Sequence, residues 1–250
     1  MHGHDQHDQH DDALRVAMSE LTRHHLDAAP AIEDTLATVT AAAVEYIDGV
    51  DYADVMLVRD EQFESRAPTA ALVIELDAAQ LRLNEGPCLH AALTDTVVHC
   101  PNLSDDERWP RFAAAAVDAG VNRMTSFPLY RDRRGGGALN LMGRDTTEVD
   151  REGHAIAAML ATHAAIALIT ADRLAQFQTA LASRDLIGQA KGVVMERFDL
   201  DADAAFKLIT RLSQNTNTPI RTLAGQITTG PPTSVTAPPK QTVTTDAPRC

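Results

Sequence analysis

Cysteine is scarce: Cys88, Cys100 and Cys250 are the only three in 250 residues. An odd number cannot close a disulfide framework without leaving one over, and a reducing compartment would hold all three as thiols. Positive charge is short too. A net charge of −13 argues against a generally nucleic-acid-binding surface. No apolar run approaches membrane-spanning length, and residues 1–12, rich in His and Asp, lack the apolar centre of a secretory signal. A cytoplasmic protein without membrane contact is expected. Catalytic signatures are missing as well: there is no G-x-S-x-G, no Walker loop, no H-E-x-x-H, and no Ser and His paired in a supporting context. The expectation is therefore no enzyme, no catalytic residue and no cofactor.

What is present is 44% hydrophobic residues in a length that holds two modest domains. The local signals agree best over residues 181–229, which read as three helices. The first carries Leu186, Ile187, Ala190, Val193 and Val194 at helical spacing and ends near Phe198. Asp201 is placed to cap the second, where Ala205, Leu208, Ile209 and Leu212 fall at i, i+3, i+4 and i+7. The third starts with Thr218 as cap and Pro219 at the first helical position, runs through Ile220, Leu223, Ala224 and Ile227, and stops at Gly230, Pro231 and Pro232. Three such stripes are expected to bury against one another as a small helical module.

Opposite the first stripe lie Arg184, Gly188, Lys191, Gly192 and Met195, three or four residues apart and so neighbours on one face. Each glycine there costs about 1 kcal/mol relative to alanine, which local stability does not explain. The bare backbone they leave, flanked by two cations, would admit a phosphate chain or a second helix.

The stretch RDLIGQAKGVVMER, then DADAAFKLITRLSQNTN and a third helix bearing Arg221, resembles the ANTAR family of RNA-binding antitermination modules over about 50 residues. The resemblance implies a dimeric protein that holds a pair of RNA hairpins in transcript leaders and keeps transcription running past a terminator. On this reading Arg184, Lys191, Lys207, Arg211 and Arg221 contact phosphates and loop bases. Gln189, Gln214 and Asn215 offer donors and acceptors to base edges, and Gly188 and Gly192 permit close approach. Residues 180–229 hold six cations and five acids, a balance of +1 that leaves −14 for the rest. RNA binding must then rest on a local stripe, with modest affinity and strong salt dependence.

The preceding chain reads in order as a polar, disordered segment at 1–12, whose histidines have no fixed metal geometry, a short amphipathic helix at 13–25 and a helix at 30–46. Strand candidates follow at 52–59 and 63–67, then at 97–100, 123–130 and 137–143, with helical stretches at 69–81, 86–93 and 109–119 between them. This order predicts an α+β fold, an antiparallel sheet flanked by helices. The phrases ADVMLV, NEGPCLHAAL, VVHCPNLSDDERWPRF and FPLYRDRRGGGALNLMGRD resemble a GAF domain over residues 31–171. Together with the carboxyl-terminal module they resemble the actinobacterial GAF and ANTAR sensor-regulators. The expected divisions are a sensor at 13–171, a connector helix at 172–182, the RNA-binding module at 183–229 and a Pro/Thr-rich disordered tail at 230–250. Residues 150–179 form one alanine-rich helical segment, with Ile156, Met159, Leu160, His163, Ile166, Ala167, Leu174 and Phe177 on a broad side. Without Gly or Pro before the next helix, the segment reads as continuous with it and as pairing with its copy through a heptad-like seam.

Such a sensor would take an unspecified small molecule between its sheet and covering helices. Cys88, His90, His99 and Cys100 lie within 13 residues, but their spacing is no zinc pattern, and adjacent His99 and Cys100 on a strand point to opposite faces. No metal site is assigned. Trp109 reads as a packing anchor, and Arg131 to Gly137 (RDRRGGG) as a turn between strands whose glycines permit positive φ. Two rival functions keep a place: a DNA-binding regulator, whose third helix would offer only Arg221, Thr222 and Gln226 to bases, and a protein-interaction sensor that never touches nucleic acid.

Overall fold

The computed structural model describes residues 31–59, 62–133 and 135–229. The helix expected at 13–25, the polar segment at 1–12 and the tail at 230–250 lie outside them. The chain divides into two units, Met1–Asp172 and Arg173–Cys250.

In the first unit the elements run α1 (Ile32–Tyr46), β1 (Tyr52–Arg59), β2 (Gln62–Arg66), α2 (Ala71–Leu83), α3 (Pro87–Thr94), β3 (Val98–Cys100), a 3-10 turn (Leu103–Asp105), α4 (Pro110–Asp118), β4 (Arg123–Asp132) and β5 (Gly135–Gly143). The first part of α5 (Arg151–Phe198) follows. All neighbouring strands pair antiparallel in the order β2-β1-β5-β4-β3. The expected α+β layout is thus the observed one.

Alternation along the strands sorts the side chains into two cores. Ala53, Val55, Leu57, Leu139, Leu141, Phe127 and Leu129 pack against Leu36, Val39, Ala43 and Ile47, chiefly of α1, and against Ile156, Ala157, Leu160, Ala161, Ala164 and Leu168 of α5. On the other face Met56, Val58, Met124, Ala138 and Met142 meet α2, α3 and α4, with Phe112 and Trp109 closing the layer. Close approach of α3 to the sheet explains the glycine run after β4. A Cβ on Gly136 would sit 2.1 Å from the Ala92 carbonyl oxygen, so glycine at this position lets α3 lie against the sheet.

The broad side expected on α5 divides in two. Ile156 and Leu160 are buried, whereas Ile166, Leu174 and Phe177 are 59%, 54% and 62% exposed. At about 100° per residue Ile166 points away from Ala157, Ala161 and Ala164, and small alanines form the inner face that a search for large side chains passes over. These alanines also make α5 long and apolar enough to cross a bilayer by length and composition, contrary to the expectation that no run comes close. Residues 155–171 lack any Asp, Glu, Lys or Arg.

Beneath α2 the sheet carries a polar layer that the sequence does not announce. Asp54 of β1, Asn140 of β5, Ser126 of β4, Asp77 and Gln80 of α2 and Cys88 of α3 are all fully buried. Asn140 Nδ2 donates to Asp54 Oδ1 at 3.0 Å, and Gln80 Oε1 accepts from the Cys88 amide at 3.0 Å. Asp77 lies close enough to Asp54 and Ser65 to interact with both electrostatically, while its two carboxyl oxygens, Asp54 Oδ2 and Ser65 Oγ have no hydrogen-bond partner among the described residues. Carboxylates this close share a proton. Burial, with Asp77 beside it, pushes the Asp54 carboxyl well above its usual range, and burial pushes Asp77 up to about 6. A raised folded-state value means the pair stabilises the fold most below the ordinary aspartate range, and that contribution is lost as pH rises through about 6. Asp77→Asn removes the shared titration while its amide can donate to Asp54. Urea midpoints at pH 5 and 7.5 will show the parent losing on the order of 2 kcal/mol more than the variant over that interval. Equal slopes would contradict the shared proton.

Candidate nucleic-acid interface

The second unit is small. Its core consists of Ala190 and Val194 of α5, Ala205 and Ile209 of α6 (Ala202–Thr216), and Ala224 of α7 (Ile220–Thr229), with Leu186, Ile187, Met195, Leu200, Ile220 and Ile227 partly buried around them. Asp201 caps α6 as expected, its Oδ1 accepting from the Ala204 amide at 2.7 Å. Two expectations need correction. Leu208 and Leu212 are 39% and 42% exposed, because neighbouring helices carrying alanine come close only along the Ala205 and Ile209 line. Thr218 does not cap α7. Its hydroxyl donates to the Thr216 carbonyl at 3.2 Å, while Pro219 accepts from the Thr222 and Leu223 amides and stands one residue ahead of the helix.

With the inner faces fixed, the outer ones follow. On α5, Arg184, Gly188 and Gly192 are exposed and Lys191 is half-buried. A Cβ built on Gly188 or Gly192 would meet nothing within 4 Å, so the notch is open rather than filled by the unit's own packing. Among the described residues neither Arg184 nor Lys191 has a carboxylate in ion-pair range. Met195 leaves this group, since it packs on the core. Gln189, also exposed, lies about a quarter turn round the helix from Gly188.

On α6, Lys207, Arg211 and Gln214 recur at i, i+4 and i+7, all exposed and turned away from Ala205 and Ile209. Asn215 is exposed to one side of them, and Arg221 is exposed on α7. The structure therefore gathers the cations into an α5 face and an α6 face. Among the described residues no hydrogen bond or ion pair joins the two. Sequence reading gives Phe206 no role, yet it is 46% exposed beside Lys207. Its position off the apolar stripe of α6 was the available signal. An exposed aromatic next to a cation is a surface on which a nucleic acid base stacks.

In the first unit Cys88 and Cys100 are buried free thiols, both raised by burial, Cys100 to about 12. Neither ionises near neutrality. His99 is exposed and Cys100 buried on opposite faces of β3, as alternation requires. Trp109 anchors the second core, with the Arg108 guanidinium 4.4 Å from its ring centroid and His90 5.8 Å from it.

Comparison with known proteins places these two units. The GAF domain model matches residues 29–169 and the ANTAR domain model residues 175–227. Among solved structures, the GAF domain of a phosphoenolpyruvate-protein phosphotransferase from Coxiella burnetii is 16% identical with a TM-score of 0.50, covering 67% of this chain and 96% of that one. Free methionine-R-sulfoxide reductase from Neisseria meningitidis, solved in complex with its substrate, is 14% identical with a TM-score of 0.50, covering 66% and 91%. Identities this low speak to the fold alone. A search of curated proteins finds no match. With the first model spanning more than half of its length, the chain belongs to the GAF domain family and carries an ANTAR domain at its carboxyl-terminal end.

Proposed function

We propose that the protein is a transcription antitermination regulator without catalytic activity. Its ANTAR domain binds paired RNA hairpins, and its GAF domain gates that binding in response to a small molecule. It acts in the cytoplasm as a homodimer. The observation that carries this reading is the open notch at Gly188 and Gly192, flanked by Arg184 and Lys191, neither of which forms an ion pair among the described residues. An exposed helix keeps two glycines, at about 1 kcal/mol each, only where close backbone approach is worth more. Phosphate contacts from Arg184, Lys191, Lys207, Arg211 and Arg221 supply affinity, while Gln189, Gln214, Asn215 and Phe206 meet splayed loop bases.

Dimerisation through α5 is supported by Leu174, Phe177 and Leu181, exposed at 54%, 62% and 45% and spaced at i, i+3 and i+7. That is the spacing of a two-helix seam. A sensor ligand acts only by favouring one dimer arrangement over another.

Filter binding of hairpin RNA and duplex DNA at two salt concentrations tests the nucleic-acid assignment. Lys191→Ala will weaken hairpin binding about tenfold, the worth of a charge-assisted contact, with unchanged circular dichroism. Undiminished binding, or a preference for duplex DNA, refutes it. Sedimentation tests the seam: the parent will run as a dimer and Phe177→Asp as a folded monomer. A monomeric parent or a dimeric variant removes α5 from the interface.

A further inference from the structure

A cavity lies on the sheet face covered by α1 and α5, away from the polar layer of Asp54 and Asp77. It measures about 210 Å³ and is lined by His99 of β3, Arg123 and Thr125 of β4, Glu148, and His154 in the first turn of α5. The β3 to β4 register sets His99 directly beside Thr125. The rings of His99 and His154 lie 5.1 Å apart. His154 Nδ1 donates to the Asp150 carbonyl at 2.8 Å, which leaves its Nε2 edge free.

Arg123 is what sets this cavity apart. The residue is 4% exposed. Its Nη2 donates to the Gly49 carbonyl, and its Nη2 and Nε edge lies against backbone that only glycine leaves open, since a Cβ on Gly143 would come within 2.5 Å of Nη2 and 3.0 Å of Nε. Among the described residues Nε and Nη1 have no hydrogen-bond partner and no carboxylate forms an ion pair with this guanidinium. Asp145, Asp51 and Glu148 act on it only through longer-range attraction. A buried cation with free N–H groups is costly, and water can accept a hydrogen bond from it without balancing its charge. Of those three acids only Glu148 lines the cavity, so an anion held there must tolerate a carboxylate nearby.

We propose that this cavity binds a small oxyanion carrying its own hydroxyl hydrogen, of the protonated phosphate class. The Arg123 guanidinium and the imidazolium form of His154, donating from Nε2, hold its oxygens, Thr125 adds a hydroxyl, and Glu148 accepts its hydrogen. An oxyanion of the same shape without a hydroxyl meets the Glu148 charge unrelieved.

The test uses the full chain at pH 6, following the ring proton signals of His99 and His154 by NMR. Sodium phosphate, sulfate and chloride are added at matched ionic strength. Phosphate will move both rings saturably and chloride will not, with sulfate at least about tenfold weaker than phosphate. His154→Ala will weaken phosphate about tenfold, the size of one charge-assisted hydrogen bond. Glu148 is exposed, so Glu148→Gln keeps the fold, and it will bring sulfate to within about twofold of phosphate. Phosphate behaving like chloride would overturn the site. A phosphate to sulfate ratio unmoved by Glu148→Gln would overturn the hydroxyl requirement.

Discussion

Burial of the alanine face of α5 against the sensor sheet is the contact on which the rest of the structure depends. Ala157, Ala161 and Ala164 let the helix lie close to the strands, and Ile156, Leu160 and Leu168 fill the space at their sides. An alanine buries little area, so such a face stabilises only when it is long and tightly fitted. Once it is seated, the helical period decides what the remaining residues do. Ile166 is turned to solvent, and past Asp172 every residue through Ala182 is exposed. In the second unit one stripe at spacings of three and four passes from Phe177 and Leu181 to Arg184, Gly188 and Lys191. Apolar side chains suited to a helix partner give way along it to cations and bare backbone.

The two faces of the sensor sheet differ in chemistry as well as in covering. Facing α1 and the start of α5 the core is apolar, with Arg123, Glu148 and His154 gathered around one cavity at its edge. Facing α2 and α3 the middle of the sheet is polar, with Asp54, Asp77, Asn140, Gln80, Ser126 and Cys88 buried together. Hydrophobic packing alone would place Leu or Val at these positions and gain stability. Two acids buried side by side cost the fold stability once both ionise. The same burial that raises the carboxyls keeps Cys88 a thiol.

Much of this was legible in the sequence wherever a period had room to repeat. Val55 and Leu57 against Asp54 and Met56 mark a strand with two buried faces, and the span from Asp150 to Phe198 lacks a proline. What escaped the sequence was mostly what depends on a partner's size. Leu208 and Leu212 belong to a sound apolar stripe, but their exposure follows from where α5 and α7 make their closest approach. Thr218 and Pro219 form a start signal that two registers satisfy, and only the backbone bonds choose between them. Asp54 and Asp77 lie 23 positions apart, and nothing local reveals that they meet. For the candidate interface, the residues on the first ANTAR helix were readable because a glycine on an exposed helix is locally unfavourable and so calls for a reason. Phe206 is an apolar residue type, and only its position off the α6 stripe tells it from core.

The account's central claim is that Gly188 and Gly192 are kept for RNA at the expense of the helix. Since a Cβ at either position meets nothing in the protein, alanine should fit there and strengthen α5. The direct measurement pairs thermal stability with hairpin RNA affinity in a Gly188→Ala, Gly192→Ala double variant, with its mass checked by sedimentation. The prediction is opposite signs in a variant that remains dimeric: stability higher by about 1 to 2 kcal/mol, and affinity lower by tenfold or more. A stabilised dimer that grips the hairpins as tightly as the parent would contradict the claim, as would a loss of affinity that comes only with loss of the dimer.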